Sequence, residues 1–289
     1  MRIRRLRQGF ALLQQPRRRV AGRSVLFAAA VVVSAQVALS AQAPPAAPAP
    51  APAPKAKETA KADQANLPSA RSIVDRHVAA VGGKAALLAH SSSRATGSFT
   101  VASAGMTGAI EVFAAKPDKS LVKITIPGVG EVVEAYDGKN GWTMSAMTGP
   151  MLLEGKQLEE KRFDTDFFGE LHDASRYESM TTVERADFDG RQCYKVRLVR
   201  KGGGEDFEFY DVETGLKAGR IATRETPMGT VTGTSTEGDY KKFGDLLQPT
   251  TVKNTMMGVQ QLITITSIEY DNVSPSVFEP PAQIKALIK

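Results

Sequence analysis

Cysteine is nearly absent: Cys193 is the only one in 289 residues. A disulfide framework within the chain is therefore excluded. The residue lies in an alternating stretch, Cys193-Tyr194-Lys195-Val196-Arg197-Leu198-Val199, and reads as a small structural side chain rather than a reactive thiol. Histidine is also scarce. His77, His90 and His172 stand far apart without ligand spacing, and neither H-E-x-x-H nor G-x-S-x-G occurs. Gly128-Val129-Gly130 lacks the third glycine of a dinucleotide loop because position 133 is valine, and Gly83-Lys84 is no phosphate loop because position 78 is valine. Asp164-Thr165-Asp166 could touch a cation, but acids on the outer face of a helix are expected to be solvated. No catalytic residue, no metal ligand and no cofactor is expected. Long apolar runs are missing too. The longest, Ser24–Leu39, falls short of the ~20 residues a spanning helix needs.

What is present begins with targeting. Residues 1–23 hold eight arginines and no acid, the apolar run follows, and the small residues Ala38-Leu39-Ser40 and Ala41-Gln42-Ala43 come next. This order reads as a cleaved secretory signal peptide over 1–43, cut after Ser40 or Ala43. A cut after Ala43 would leave Pro44 next to the scissile bond. The full chain carries a net charge of +6, yet the excess lies in this segment, and the remainder is slightly acidic. Nucleic acid is therefore not expected as a partner. With no cysteine near the cut, no lipid anchor and no stable membrane anchor are expected after cleavage. Residues 44–66 are a Pro/Ala repeat followed by a polar tail. Proline at every second position forbids helix and ladder and favours an extended spacer.

The folded part is expected over 67–289, within the size of one all-β domain. Ile73, Val74, His77, Val78 and Val81 form one apolar stripe, stopped by Gly82-Gly83. His77 on that stripe reads as a packed structural histidine. From Arg94 the period changes to two. Turns at Ala104-Gly105, Pro127-Gly128, Asp137-Gly138, Asn140-Gly141, Asp189-Gly190, Gly202-Gly203-Gly204 and Met257-Gly258 divide about eleven strands in up-and-down order. In Gln260–Asn272, Ile263 and Ile265 point one way, and Leu262, Ile268 and Tyr270 the other. Two partly apolar faces suit a large curved sheet that packs helices. Between strands, Leu153, Leu158, Phe163, Phe167 and Leu171 recur at helical spacing, which predicts a helix over about 152–171. Gly155 and Gly169 weaken it. Such a helix over a concavity is either a movable lid or a permanent plug.

Several of these elements together resemble a known family. They are the helix ending Val81-Gly82-Gly83, then Tyr136-Asp137-Gly138-Lys139-Asn140-Gly141-Trp142, then Gly149-Pro150 and the helix. Phe188-Asp189-Gly190-Arg191-Gln192-Cys193-Tyr194-Lys195-Val196 and Tyr210-Asp211-Val212-Glu213-Thr214-Gly215-Leu216 follow. Their order is similar to that of bacterial periplasmic proteins of the outer-membrane lipoprotein-sorting type, the LolA/LolB-like superfamily. The resemblance spans nearly all of 67–289. It implies a mainly β fold: an unclosed antiparallel barrel with an N-terminal helix and a mid-chain helical lid, whose concavity holds acyl chains of lipids or lipoproteins. The residues expected to line that concavity or its lid are Trp142, Met144, Leu153, Leu158, Phe163, Phe167, Leu171, Ile124, Ile263 and Ile265. Trp142 is expected to be buried, anchoring its hairpin to the lid. The alternative is a non-catalytic interaction module with a filled core that recognises another envelope protein. A ligand site should measure hundreds of Å³, whereas a filled core should show only voids near water size.

Overall fold

The computed structural model describes residues 66–226 and 229–289. The segment 1–43 expected to direct export, and nearly all of the Pro/Ala-rich stretch 44–66, lie outside them. The described chain opens with α1 (Ala70–Ala80). Ser69 caps it, its hydroxyl accepting from the Ser72 amide at 3.2 Å, which satisfies one of the free donors at the helix start. Gly82 and Gly83 end it at φ values of 129° and 92°, conformations that a side chain would resist. A short α2 (Lys84–Ala89) follows.

Two meanders then build the sheet. The first holds β1 (Ser92–Val101), β2 (Met106–Ala115), β3 (Lys119–Ile126), β4 (Gly130–Tyr136), β5 (Gly141–Ser145) and β6 (Gly149–Leu153). The second holds β7 (Tyr177–Phe188), β8 (Arg191–Arg200), β9 (Glu205–Asp211), β10 (Lys217–Thr226) and β11 (Gly229–Gly238), with β14 (Thr251–Met256) and β15 (Val259–Tyr270) completing it. A small separate hairpin, β12 (Lys241–Phe243) and β13 (Leu246–Gln248), interrupts the second meander. The last strand returns to the first. β15 pairs with β1 antiparallel, giving one 13-stranded sheet ordered β6-β5-β4-β3-β2-β1-β15-β14-β11-β10-β9-β8-β7. The sheet is an unclosed barrel, with β6 and β7 as its two edges. At the β1–β15 seam the strands approach so closely that a Cβ on Gly97 would run into the Thr264 carbonyl, so only glycine fits there.

The register defines two faces. On the inner one, Phe99, Val101, Ile110, Val122, Ile124, Ile126 and Ile263 form a closed apolar cluster, each such side chain worth ~1.5–3 kcal/mol when fully buried. On the same face, at the other end of the sheet, Val196, Leu198 and Tyr210 receive Ile73, Val74 and Val78 of α1. A bulge changes one expectation. Ala95 pairs with Ile268 and Gly97 with Ile265, so Thr266 is the extra residue, and Ile268 and Tyr270 turn to the same face as Ile265 instead of away from it. The outer face carries Phe188, Cys193 and Phe209. At its far end Trp142 and Ala135 lie under Ile284 of α4 (Ala282–Lys285).

The mid-chain insert joins the two open edges. It is shorter as a helix than 152–171. Leu152 and Leu153 belong to β6, opposite Trp142 and Gly141. Gly155 takes a φ of 53°, and α3 runs only Gly155–Asp164, followed by 3-10 turns at Gly169–Leu171 and Ala174–Arg176. Nor is an apolar stripe what this helix buries. It buries charge instead: Lys161 Nζ donates to Glu134 Oε1 of β4 at 2.7 Å, with both side chains 4% exposed.

Candidate functional site

Strand parity decides what faces the insert. Glu134, Thr143 and Gly141 lie on the inner face, and α3 sits over them through the Lys161–Glu134 pair and through Leu158, which packs above Gly141 beside Leu153. Trp142, one residue from Gly141, points the other way. It is buried as expected, but its neighbours are Ile284 and Ile288, Leu152 and Met144. Trp142 therefore ties the β5 hairpin to the C-terminal helix and not to the lid. The insert is held to its surroundings by further polar contacts. The Phe167 amide donates to the Pro117 carbonyl at 3.0 Å, and Arg71 Nη1 donates to the Leu171 and His172 carbonyls at 3.2 and 3.1 Å; within the insert, Arg176 Nη2 donates to the Phe163 carbonyl.

Beneath the insert the inner face is charged. Period-two alternation carries Val196, Leu198 and Arg200 along one face of β8, and pairing brings Asp206 and Glu208 of β9 and Arg220 and Arg224 of β10 onto that face. Arg224 grips Asp206 with both terminal nitrogens, at 2.5 and 3.3 Å. Asp164, at the end of α3, lies 3.7 Å from Arg220 and 3.9 Å from Arg224. Its side chain is only 2% exposed, so the acid expected to be solvated is instead buried among arginines. Burial raises its pKa against the pull of Arg220 and Arg224, and burial raises that of Glu160 likewise. Arg200 meets Asp206 only at 3.7 Å.

A second network lies under α1. His77 Nε2 is 3.0 Å from Glu170 Oε2, and Lys217 Nζ donates to Glu170 Oε1 at 2.6 Å. His172 Nε2 lies 2.7 Å from Glu208 Oε2, which also accepts from the Tyr210 hydroxyl. Burial alone would raise the Glu208 pKa, but the facing His172 holds it down at about 2. Burial would lower His172, and Glu208 raises it instead. Cys193 is buried, and burial pushes its thiol up to about 11, in keeping with a structural role. Among the described residues no group of three or more histidines, cysteines and acids could hold a metal ion, and no helix is long and apolar enough to cross a membrane.

Among the described residues, a larger and a smaller cavity flank the insert. The larger, about 960 Å³, is a groove between α3 and the β8–β9 turn, with Phe163, Arg162, Arg176, Arg200, Gly204 and Glu205 among its walls. The smaller, about 290 Å³, lies between the segment 164–167 and the inner face of β1–β3, walled by Leu87, Val112, Val122, Phe167, Leu246 and Tyr270, with the acids Asp164, Asp166 and Glu170 on the insert side. Asp166 contributes to both, so the short segment Asp164–Phe167 stands between them. Of the residues expected to hold or cover a chain, Phe163 lines the groove and Phe167 the smaller cavity. Leu171 packs toward α1, Leu153 is buried and Leu158 half-buried beside it. Ile124 and Ile263 are sealed in the inner apolar cluster, with Ile265 against it, and Trp142 and Met144 belong to the outer face. The charged floor escaped the sequence reading because its residues sit in strands that look half-solvated. The signal that could have found it is parity: Arg200 falls on the same side as Val196 and Leu198.

The described chain superposes on a LolA superfamily protein from Nitrosomonas europaea with a TM-score of 0.51, at 13% identity over 74% of this chain and 99% of that one. The fold is LolA-like. A DUF1329 family protein from Desulfovibrio piger shares it, with a TM-score of 0.52 at 14% identity over 73% of this chain and 97% of that one. No family model matches the sequence, and no curated protein matches it. The LolA-like frame nonetheless accounts for the open edges β6 and β7, the insert bridging them and α1 packed on the inner face.

Proposed function

We propose that this chain is a non-catalytic periplasmic protein that binds an acyl-bearing amphiphile, a lipid or the lipid end of a lipoprotein. The polar end would lie in the groove and the chain in the smaller cavity, with the insert as cover. The observation that carries this reading is the placement of the two cavities on either side of Asp164–Phe167. One is large and charged, the other small with an apolar wall, and their volumes, about 960 and 290 Å³, match the usual range of ligand sites. The LolA-like fold and the basic, apolar, small-residue order of 1–43 support a place in the cell envelope. Each methylene that enters an apolar cavity contributes about 0.8 kcal/mol, so chain length should set affinity until the cavity is full.

The test is a titration of the purified mature chain with fatty acids of increasing length, read by displacement of a fluorescent fatty acid. Affinity should rise with length and then level off, and Phe167→Asp should weaken the long chains most. Trp142 faces away from both cavities, so its emission should stay constant. A second reading draws on the closed cluster around Phe99, Ile110, Ile124 and Ile263. A filled module that docks another envelope protein would show no dependence on chain length at all.

A further inference from the structure

Arg200 is the residue of the groove whose chemistry is incomplete. It ends β8, it is 3% exposed, and its guanidinium lies in the wall of the large groove. A buried charge is costly unless it is paired and hydrogen-bonded. The nearest carboxylate, Asp206, is already held by both terminal nitrogens of Arg224 and reaches Arg200 only at 3.7 Å. Arg200 Nε has no hydrogen-bond partner. Its other neighbour is the Phe163 ring, 4.9 Å from the guanidinium carbon, and the same ring carries Arg176 at 4.1 Å. Arg176 is committed to Asp166 at 2.7 Å, and Glu205 to Arg197. The turn makes room for the arginine, since a Cβ on Gly204 would collide with the guanidinium.

We infer that Arg200 is an anion-binding residue and that the amphiphile this groove takes carries a carboxylate or phosphate head group. The inference rests on the amphiphile reading above and specifies its ligand. A guanidinium presents donors in a planar fork that matches either oxyanion. Exposed Arg162, with Lys156 and Lys201 in the same walls, stands against Asp118, Glu159 and Glu160, so the rim is balanced in charge and the selectivity falls to Arg200. Phe163, stacked against the guanidinium, keeps the arginine flat and offers an apolar surface to the first carbons of the chain.

The experiment compares hexadecanoate, hexadecyl phosphate and hexadecanol on the mature chain, below their aggregation concentrations. The two anions should bind at least about tenfold more tightly than the alcohol, and added salt should narrow the gap. Arg200→Gln should bring the anions to within about twofold of the alcohol while the alcohol's own affinity holds. Arg162→Gln, on an exposed residue that tolerates change, should narrow the gap partially and guards against an Arg200 variant that fails to fold. Tighter binding of the phosphate assigns a phosphorylated head group, and tighter binding of hexadecanoate a carboxylate. Equal affinities for the anions and the alcohol in the unaltered chain would overturn the head-group assignment and leave the amphiphile reading standing. An anion preference that survives Arg200→Gln would overturn the role of Arg200. Failure of all three to bind would remove the amphiphile reading itself.

Discussion

Two buried pairs dominate at the scale of the residue. Lys161 and Glu134 meet at 2.7 Å with almost no exposure, and this pair, rather than an apolar stripe, fixes α3 to the sheet. Removing one partner leaves a buried charge, so Lys161→Ala should cost about 3–5 kcal/mol in urea unfolding. The double change Glu134→Leu with Lys161→Met should recover most of that loss, since well-packed apolar residues can replace a buried pair. His172 and Glu208 make stability depend on pH. Glu208 is held at about 2, below its ordinary 4.5, so its contribution is present above 4.5 and is lost as pH falls toward 2. His172 is raised above its ordinary 6.5, so its contribution is complete below 6.5 and is lost as pH climbs through the raised value. Both contribute fully between pH 4.5 and 6.5. Thermal unfolding of the unaltered chain and of His172→Gln from pH 5 to pH 9 should show the difference between them shrinking on the alkaline side. A constant difference would mean that His172 packs without being charged.

At the scale of the element, the β5 hairpin is clamped from outside. Trp142 is 1% exposed and packs under α4, so Trp142→Ala should lower stability by about 3–5 kcal/mol. Removing residues 282–289 should shift its emission to the red as the ring meets water. An unchanged spectrum would contradict the clamp. Elements governed by local chemistry were legible from sequence: α1 with its glycine stop, the Asp137-Gly138 and Asn140-Gly141 turns, and the period-two strands. Elements governed by partners were harder. Leu152 and Leu153 kept helical spacing with Leu158 and Phe163, yet pairing with β5 claimed them for a strand, and Gly155 at φ 53° separates strand from helix. The stretch from Leu246 to Met256 is broken at Pro249, which cannot donate to a ladder, and its first part folds back on Lys241–Phe243 instead.

At the scale of the whole molecule, the fold depends on one distant pairing, β15 with β1, which makes a single sheet of two meanders and leaves β6 and β7 as its edges. No local pattern encodes that return, and the expected up-and-down order of strands does not contain it. Pairing of β8, β9 and β10 gathers Arg200, Asp206, Arg220 and Arg224 on one face, and the insert sets Asp164 over them, so the charged floor became visible only once the strands were paired. The insert crosses the gap between the edges and separates a charged groove from a smaller cavity. The central claim is that this gap holds an acyl-bearing molecule. Native mass spectrometry of the protein, gently isolated from the cells that make it, addresses it most directly. The predicted result is one acyl-bearing molecule bound per chain, retained by the unaltered protein and depleted in Phe167→Asp. The bare mass of the mature chain in every preparation, with a partner protein as its only adduct, would contradict it.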